Sequence, residues 1–139
     1  MFWYKRVERS SEFQRFWLWV TFGWALVALV IYLSLASSIP KIIEFAFADK
    51  LEHLLAYSVL MGWLGQLYVS TRQQILLAVG FCLMGIALEF LQGWGGHRFF
   101  DVADMAANTL GVLLGWRLTR TLFAGILLRV DRSISRLLG

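Results

Sequence analysis

Proline, cysteine and histidine are nearly missing from this sequence, and charge is scarce. A single proline, Pro40, leaves the rest of the chain free to run in long helices, because proline removes a backbone donor and breaks a helix interior. A single cysteine, Cys82, excludes an internal disulfide. Its place inside an apolar run makes it a small core hydrophobe and not a reactive thiol. There are two histidines and no Cys-x-x-Cys or His-Glu-x-x-His spacing. Asp49, His53, Glu89 and His97 are ligand types but stand at no recognisable metal spacing, so neither a metal nor a cofactor is expected. Charged residues make up only 16% of the chain, against about a quarter in soluble domains. Such a chain has too little charge to clothe a water-facing fold.

What it has instead is apolar surface: 59% hydrophobic and 16% aromatic residues, with a mean hydropathy of +0.66. The apolar residues lie in long blocks, as a bilayer solvent demands. The length, 139 residues, suits one domain. A net charge of +4 would fit a nucleic-acid binder, but the basic residues gather at the ends of the apolar blocks, so no nucleic-acid partner is expected. The fold class predicted is an all-α integral membrane protein: a four-transmembrane-helix bundle with a short basic amphipathic C-terminal segment.

The spans are predicted at about 16–38, 50–68, 74–91 and 102–118, each near the ~20 residues that cross a hydrocarbon core. Pro40 closes the first. That span is too long for a signal-peptide core and lacks an A-x-A-like cleavage site, so it is expected to stay as an anchor. A short loop, 41–50, follows, with an interfacial turn at its IIEFAF run. The run Gly93-Trp-Gly-Gly-His-Arg is a loop by glycine content. Beyond the fourth span, Arg129, Arg132 and Arg136 recur at helical spacing among Leu128, Ile134, Leu137 and Leu138. This pattern suits either a helix on an anionic leaflet or a solvated tail. The tryptophans fall mostly near span ends, as in an interfacial belt.

Ten of the thirteen basic residues fall on one side of this topology: Lys5, Arg6, Arg9, Arg15, Arg72, Arg117, Arg120, Arg129, Arg132 and Arg136. Lys41, Lys50 and Arg98 fall on the other. The positive-inside rule then places both termini in the cytoplasm.

Several polar groups sit in or beside these apolar spans. At about 100° per residue, Asp49, His53 and Tyr57 form one line from the outer mouth into the second span. Glu89 and Gln92 are i, i+3 neighbours at the outer end of the third, with Gly85 below them. Asp101, Asp104, Asn108, Gly111 and Gly115 share one ~80° sector of the fourth. The two glycines make a GxxxG face for close helix approach. An ionised side chain in a bilayer is costly unless paired or wetted, so these groups form either a satisfied network or a water-lined pocket. In the network, Arg98 pairs with Asp104 or Asp101 while His53 and Glu89 bond each other.

Three motifs carry a family resemblance. Asp49-Lys-Leu-Glu-His53-Leu-Leu-Ala-Tyr57 resembles the D-K-x-x-H-x-x-A-Y signature of VanZ-like membrane proteins. Glu89-Phe-Leu-Gln92 is similar to that family's E-x-x-Q. The segment from Arg98 through Asp101, Asp104, Asn108 and Gly111 to Gly115 resembles its third block. The resemblance, over about 49–115, implies a four-span helical fold in the bacterial cytoplasmic membrane and a role in the cell envelope. The family's namesake is associated with resistance to the glycopeptide teicoplanin.

The expected site is an outward-facing pocket of Asp49, Lys50, His53, Tyr57, Glu89, Gln92, Arg98, Asp101, Asp104 and Asn108. Its expected partner is a membrane lipid or the headgroup of a lipid-linked glycan. An envelope-protein partner or a second copy of the chain is also compatible. If the site is catalytic, His53 or Glu89 would be the general base and Arg98 or Lys50 would steady an anion. The alternative is an accessory subunit whose polar residues only pin the helices. A transporter is disfavoured because the inner halves of the spans are almost wholly apolar. The topology has a direct test with Cys82 replaced by serine. Cysteines at Lys41 or Gly96 should react with an impermeant thiol reagent on intact cells, and cysteines at Ser70 or Ser133 should not; the opposite labelling would invert the orientation.

Overall fold

The computed structural model describes residues 12–36, 47–95 and 100–138. All regular structure among them is helical: α1 (Phe16–Leu35), α2 (Ala48–Leu67), α3 (Thr71–Trp94), α4 (Val102–Arg120) and α5 (Ile126–Leu138). Helix α1 stops at Leu35 and Ala36 is extended; Pro40 and most of the expected interfacial turn lie outside the described residues. Helix α3 is longer than the expected 74–91 at both ends. It starts at Thr71 because Ser70 and Gln73 form a reciprocal capping box, and it runs through Gly93 to Trp94.

Two helices, α1 and α3, are long and apolar enough to cross a membrane. Helices α2 and α4, 20 and 19 residues long, carry more polar groups and turn them toward each other. On α4, Asp104, Asn108, Gly111, Gly115 and Thr119 are buried, while Leu110 and Leu113 are more than half exposed. A soluble amphipathic helix does the reverse. Leu29, Tyr32, Leu76, Val79, Leu83 and Phe90 likewise stand on the outer surface. Apolar surface on this scale needs a non-aqueous neighbour.

The closest packing is between α2 and α4. A Cβ on Gly111 would run into the Leu54 carbonyl oxygen and come within 3.0 Å of Tyr57 Cβ; one on Gly115 would meet the Ser58 carbonyl oxygen and the Gly62 nitrogen. The Ser58 hydroxyl sits 3.0 Å from the Gly111 carbonyl oxygen, bonding the helices where they touch. Around this contact the core is built from Leu60, Met61 and Leu64 of α2 and Val112 of α4, with Phe81 of α3 and Val27 of α1.

The C-terminal arginine segment is helical, and it folds back onto the start of α1. Leu127, Leu128 and Asp131 are buried, and Asp131, fully enclosed, accepts from the Trp19 indole at 2.9 Å and the Gln14 backbone at 2.7 Å. Arg129, Arg132 and Arg136 remain exposed on its other side.

Three tryptophans also differ from an interfacial belt. Trp19 bonds Asp131, Trp63 donates to the Trp19 carbonyl and Trp116 donates to Gln74. Their indole N–H groups are turned into the fold and must find acceptors there. Trp17 and Trp94 are the exposed ones near helix ends.

Gly111→Leu should lower the melting temperature in detergent, because overpacking a tight contact costs about 1–3 kcal/mol. Gly80 has open space around it, so Gly80→Ala should melt at or above the parent temperature. Equal melting of Gly111→Leu and the parent would mean that this face of α4 is not packed.

Candidate functional site

The N-terminal ends of α2 and α4 and the C-terminal part of α3 meet at one end of the bundle. Because Gly111 lets the α4 backbone touch Leu54, the preceding turns of α4 press against the first turns of α2. Lys50 Nζ donates to Asp101 Oδ2 at 2.5 Å and to Asp104 Oδ1 at 3.0 Å. Both aspartates are thus held by Lys50; Arg98, the partner expected from sequence, lies outside the described residues. Asp101 also caps α4, accepting from the Ala103 N–H at 2.8 Å. Its carboxyl is held below the usual carboxylate range, first by the Lys50 hydrogen bond and then by that backbone donor.

Burial deepens along α2. Asp49 is half-buried, the His53 side chain is 12% exposed and Tyr57 is 2% exposed. His53 Nδ1 lies 2.9 Å from Asn108 Oδ1, and its Nε2 faces Asp104 Oδ2 at 3.6 Å. Asn108 fits because Gly85 of α3 has no side chain; a Cβ there would come within 2.9 Å of Asn108 Nδ2. Glu89 of α3 is buried and accepts from the Asp101 backbone N–H at 3.4 Å. One ligand-type atom each of His53, Glu89 and Asp104 lies within 4.8 Å of the others.

Among the described residues, two buried polar atoms here have no hydrogen-bond partner: the Tyr57 hydroxyl and Gln92 Oε1. Tyr57 is within electrostatic reach of Glu89. Gln92 is turned partly away, since its Nε2 donates to the Ser34 carbonyl at 2.6 Å and so ties α3 to α1. A buried polar atom left unpaired costs about 1–3 kcal/mol. Both fall at this end of the bundle, and each calls for a polar neighbour.

Of the residues expected from sequence, Lys50, His53, Glu89, Asp101, Asp104 and Asn108 converge, with Tyr57 beside them. A family model of VanZ/LLP1 proteins matches residues 3–124. The chain belongs to the VanZ/LLP1 family. No curated protein and no solved structure matches it. Membership agrees with a membrane protein of the cell envelope, and residues from all three VanZ-like motifs sit at this one end.

Sequence reasoning missed a second polar cluster at the opposite end of this VanZ/LLP1 fold. Gln74, 3% exposed, donates to the Gly65 carbonyl at 2.8 Å. It accepts from Trp116 Nε1 at 3.0 Å and Arg120 Nε at 3.2 Å. Here every polar atom of the Gln74 side chain is used, which marks the cluster as a helix tie. Its only sequence signal was a glutamine where the polar Ser70-Thr71-Arg72-Gln73 run meets the apolar run from Ile75.

The lowered Asp101 pKa makes the Lys50 pair acid-sensitive in a definite direction. Its contribution to stability is present above the ordinary carboxylate value of 3.8 and is lost as pH falls through the lower folded-state value. The melting-temperature gap between wild type and Lys50→Gln should therefore be widest near neutral pH and close in acid. A gap that stays constant to about pH 2, well under the ordinary carboxylate range, would show that the pair does not carry it.

Proposed function

We propose that this chain is a four-span envelope protein of the bacterial cytoplasmic membrane, with both termini inside, whose outward polar end binds or processes the headgroup of a lipid-linked glycan. The observation that carries this reading is the unsatisfied Tyr57 hydroxyl, buried within electrostatic reach of Glu89, with the Gln92 Oε1 atom also unpaired among the described residues. A network that existed only to pin helices would leave no such donor idle, as the fully used Gln74 at the other end illustrates. The cluster supplies cationic, anionic and neutral hydrogen-bonding groups suited to a sugar, peptide or phosphate, and the apolar flanks of α1 and α3 suit a lipid tail. Should the site process its ligand, His53 and Glu89 are the residues placed for proton transfer. A link to glycopeptide resistance follows if that headgroup belongs to a cell-wall precursor.

The pinning alternative draws on the Lys50–Asp101–Asp104 pairing, which satisfies three charges without any ligand. The two readings differ on what a single deletion does. Removing one member of a buried charge network typically costs about 3–5 kcal/mol, whereas a wetted pocket lets water replace the lost group at under about 1 kcal/mol. Compared in chelator, so that no bound ion contributes, His53→Ala should keep its melting temperature near that of the parent, and in cells it should fail to complement an envelope phenotype of a deletion strain. It should also lose lipids that co-purify with wild type, identified by mass spectrometry. Full complementation with unchanged lipid content would remove the case for a functional site.

A further inference from the structure

We propose that His53, Glu89 and Asp104 hold a divalent metal ion between α2, α3 and α4. The three side chains come from three helices, and their ligand atoms lie within 4.8 Å of one another. Linear spacing could not reveal such a site, because each helix contributes a single ligand.

The histidine points to what lies between them. His53 Nδ1 stands 2.9 Å from Asn108 Oδ1. An amide oxygen only accepts, so the ring proton belongs on Nδ1, and in the neutral ring Nε2 carries a lone pair. That lone pair faces Asp104 Oδ2 at 3.6 Å, beyond hydrogen-bond range. Two facing acceptors need a cation between them, either a second ring proton or a metal ion; Glu89, with a ligand atom within 4.8 Å of both, supplies the third ligand that a metal needs and a proton does not. Two ligand atoms, each about 2.1 Å from a tetrahedral metal, stand about 3.4 Å apart, close to the separation found here.

The surrounding bonds fit the same reading. Metal-bound histidines usually donate their second N–H to a carbonyl or carboxylate, which fixes the tautomer; Asn108 fills that role. Lys50 occupies Asp104 Oδ1, leaving Oδ2 for the metal. Glu89 Oε2 is oriented by the Asp101 backbone N–H.

An independent observation is the Tyr57 hydroxyl, 2% exposed, without a hydrogen-bond partner and electrostatically coupled to Glu89. A water or anionic oxygen on a fourth coordination position would give it one. One nitrogen and two carboxylate ligands with an open position suit zinc or manganese; calcium would demand six to eight oxygens. The cation stands on this geometry, while its use in holding a headgroup rests on the function proposed above.

The test is the metal content of the full chain purified in detergent, read by plasma mass spectrometry, with melting curves in zinc and manganese. Wild type should carry close to one metal per chain. After chelation, its melting temperature should rise by several degrees when either metal is returned at about 100 times its Kd. Glu89→Gln keeps the side-chain shape and should lose both the metal and the rise, as should His53→Ala. Lys50→Gln removes a competing cation from Asp104 and should bind metal at least as tightly as wild type. Wild type that carries no metal and shows no rise would overturn the proposal, as would equal metal in Glu89→Gln and wild type. Co-purifying lipid measured on the same samples separates the two ideas. Lipid without metal removes the metal site and leaves the headgroup reading, and metal without lipid does the reverse.

Discussion

The contact that the rest of this structure depends on is the backbone approach of α4 to α2 at Gly111 and Gly115. With no side chain at either position, the helices come close enough for the Ser58 hydroxyl to bond the Gly111 carbonyl. That contact sets the register of everything toward the N-termini of the two helices. One turn from Gly111, Asn108 reaches His53; two turns away, Asp104 reaches Lys50 and His53. Without a strong hydrophobic force between helices in lipid, small residues and interhelical hydrogen bonds supply the association. The tightest helix contact in the fold therefore lies directly beneath its most polar end.

Much of this was legible in the sequence, for physical reasons that can be named. The step pattern from Asp104 to Gly115 put small and polar groups on one helical face, and a polar face within an apolar helix must turn inward. The line from Asp49 to Tyr57 was legible for the same reason. The partners were harder to read, because sequence says which face a residue occupies and not which residue of another helix stands opposite. Lys50 was placed in the pocket but not as the partner of Asp101 and Asp104. Gln92 was assigned to the cluster, yet its amide reaches across to Ser34 on α1. The C-terminal helix was read as amphipathic, and it is: Leu127, Leu128 and Asp131 are buried, Asp131 against Trp19, a contact its spacing did not reveal, while Arg129, Arg132 and Arg136 stay exposed.

The two ends of the bundle solve the same problem differently. Around Gln74 every polar atom of the side chain is matched by Gly65, Trp116 or Arg120, and the guanidinium of Arg120 also lies 4.9 Å over the Trp116 ring. That end is closed chemistry and holds helices together. At the other end Lys50 pairs with Asp101 and Asp104, while among the described residues the buried Tyr57 hydroxyl and Gln92 Oε1 have no hydrogen-bond partner. A low-dielectric surrounding makes such idle atoms costly. Among the described residues such atoms do not occur around Gln74; they occur at the end where residues of all three family motifs meet.

The central claim is that this end of the bundle is built around something other than protein. A high-resolution structure of the chain extracted with its native lipids tests it most directly. The account predicts ordered non-protein density against His53, Asp104 and Glu89, within hydrogen-bond distance of the Tyr57 hydroxyl. A dry, closed cluster in which Tyr57 and Gln92 bond only to protein groups would contradict it.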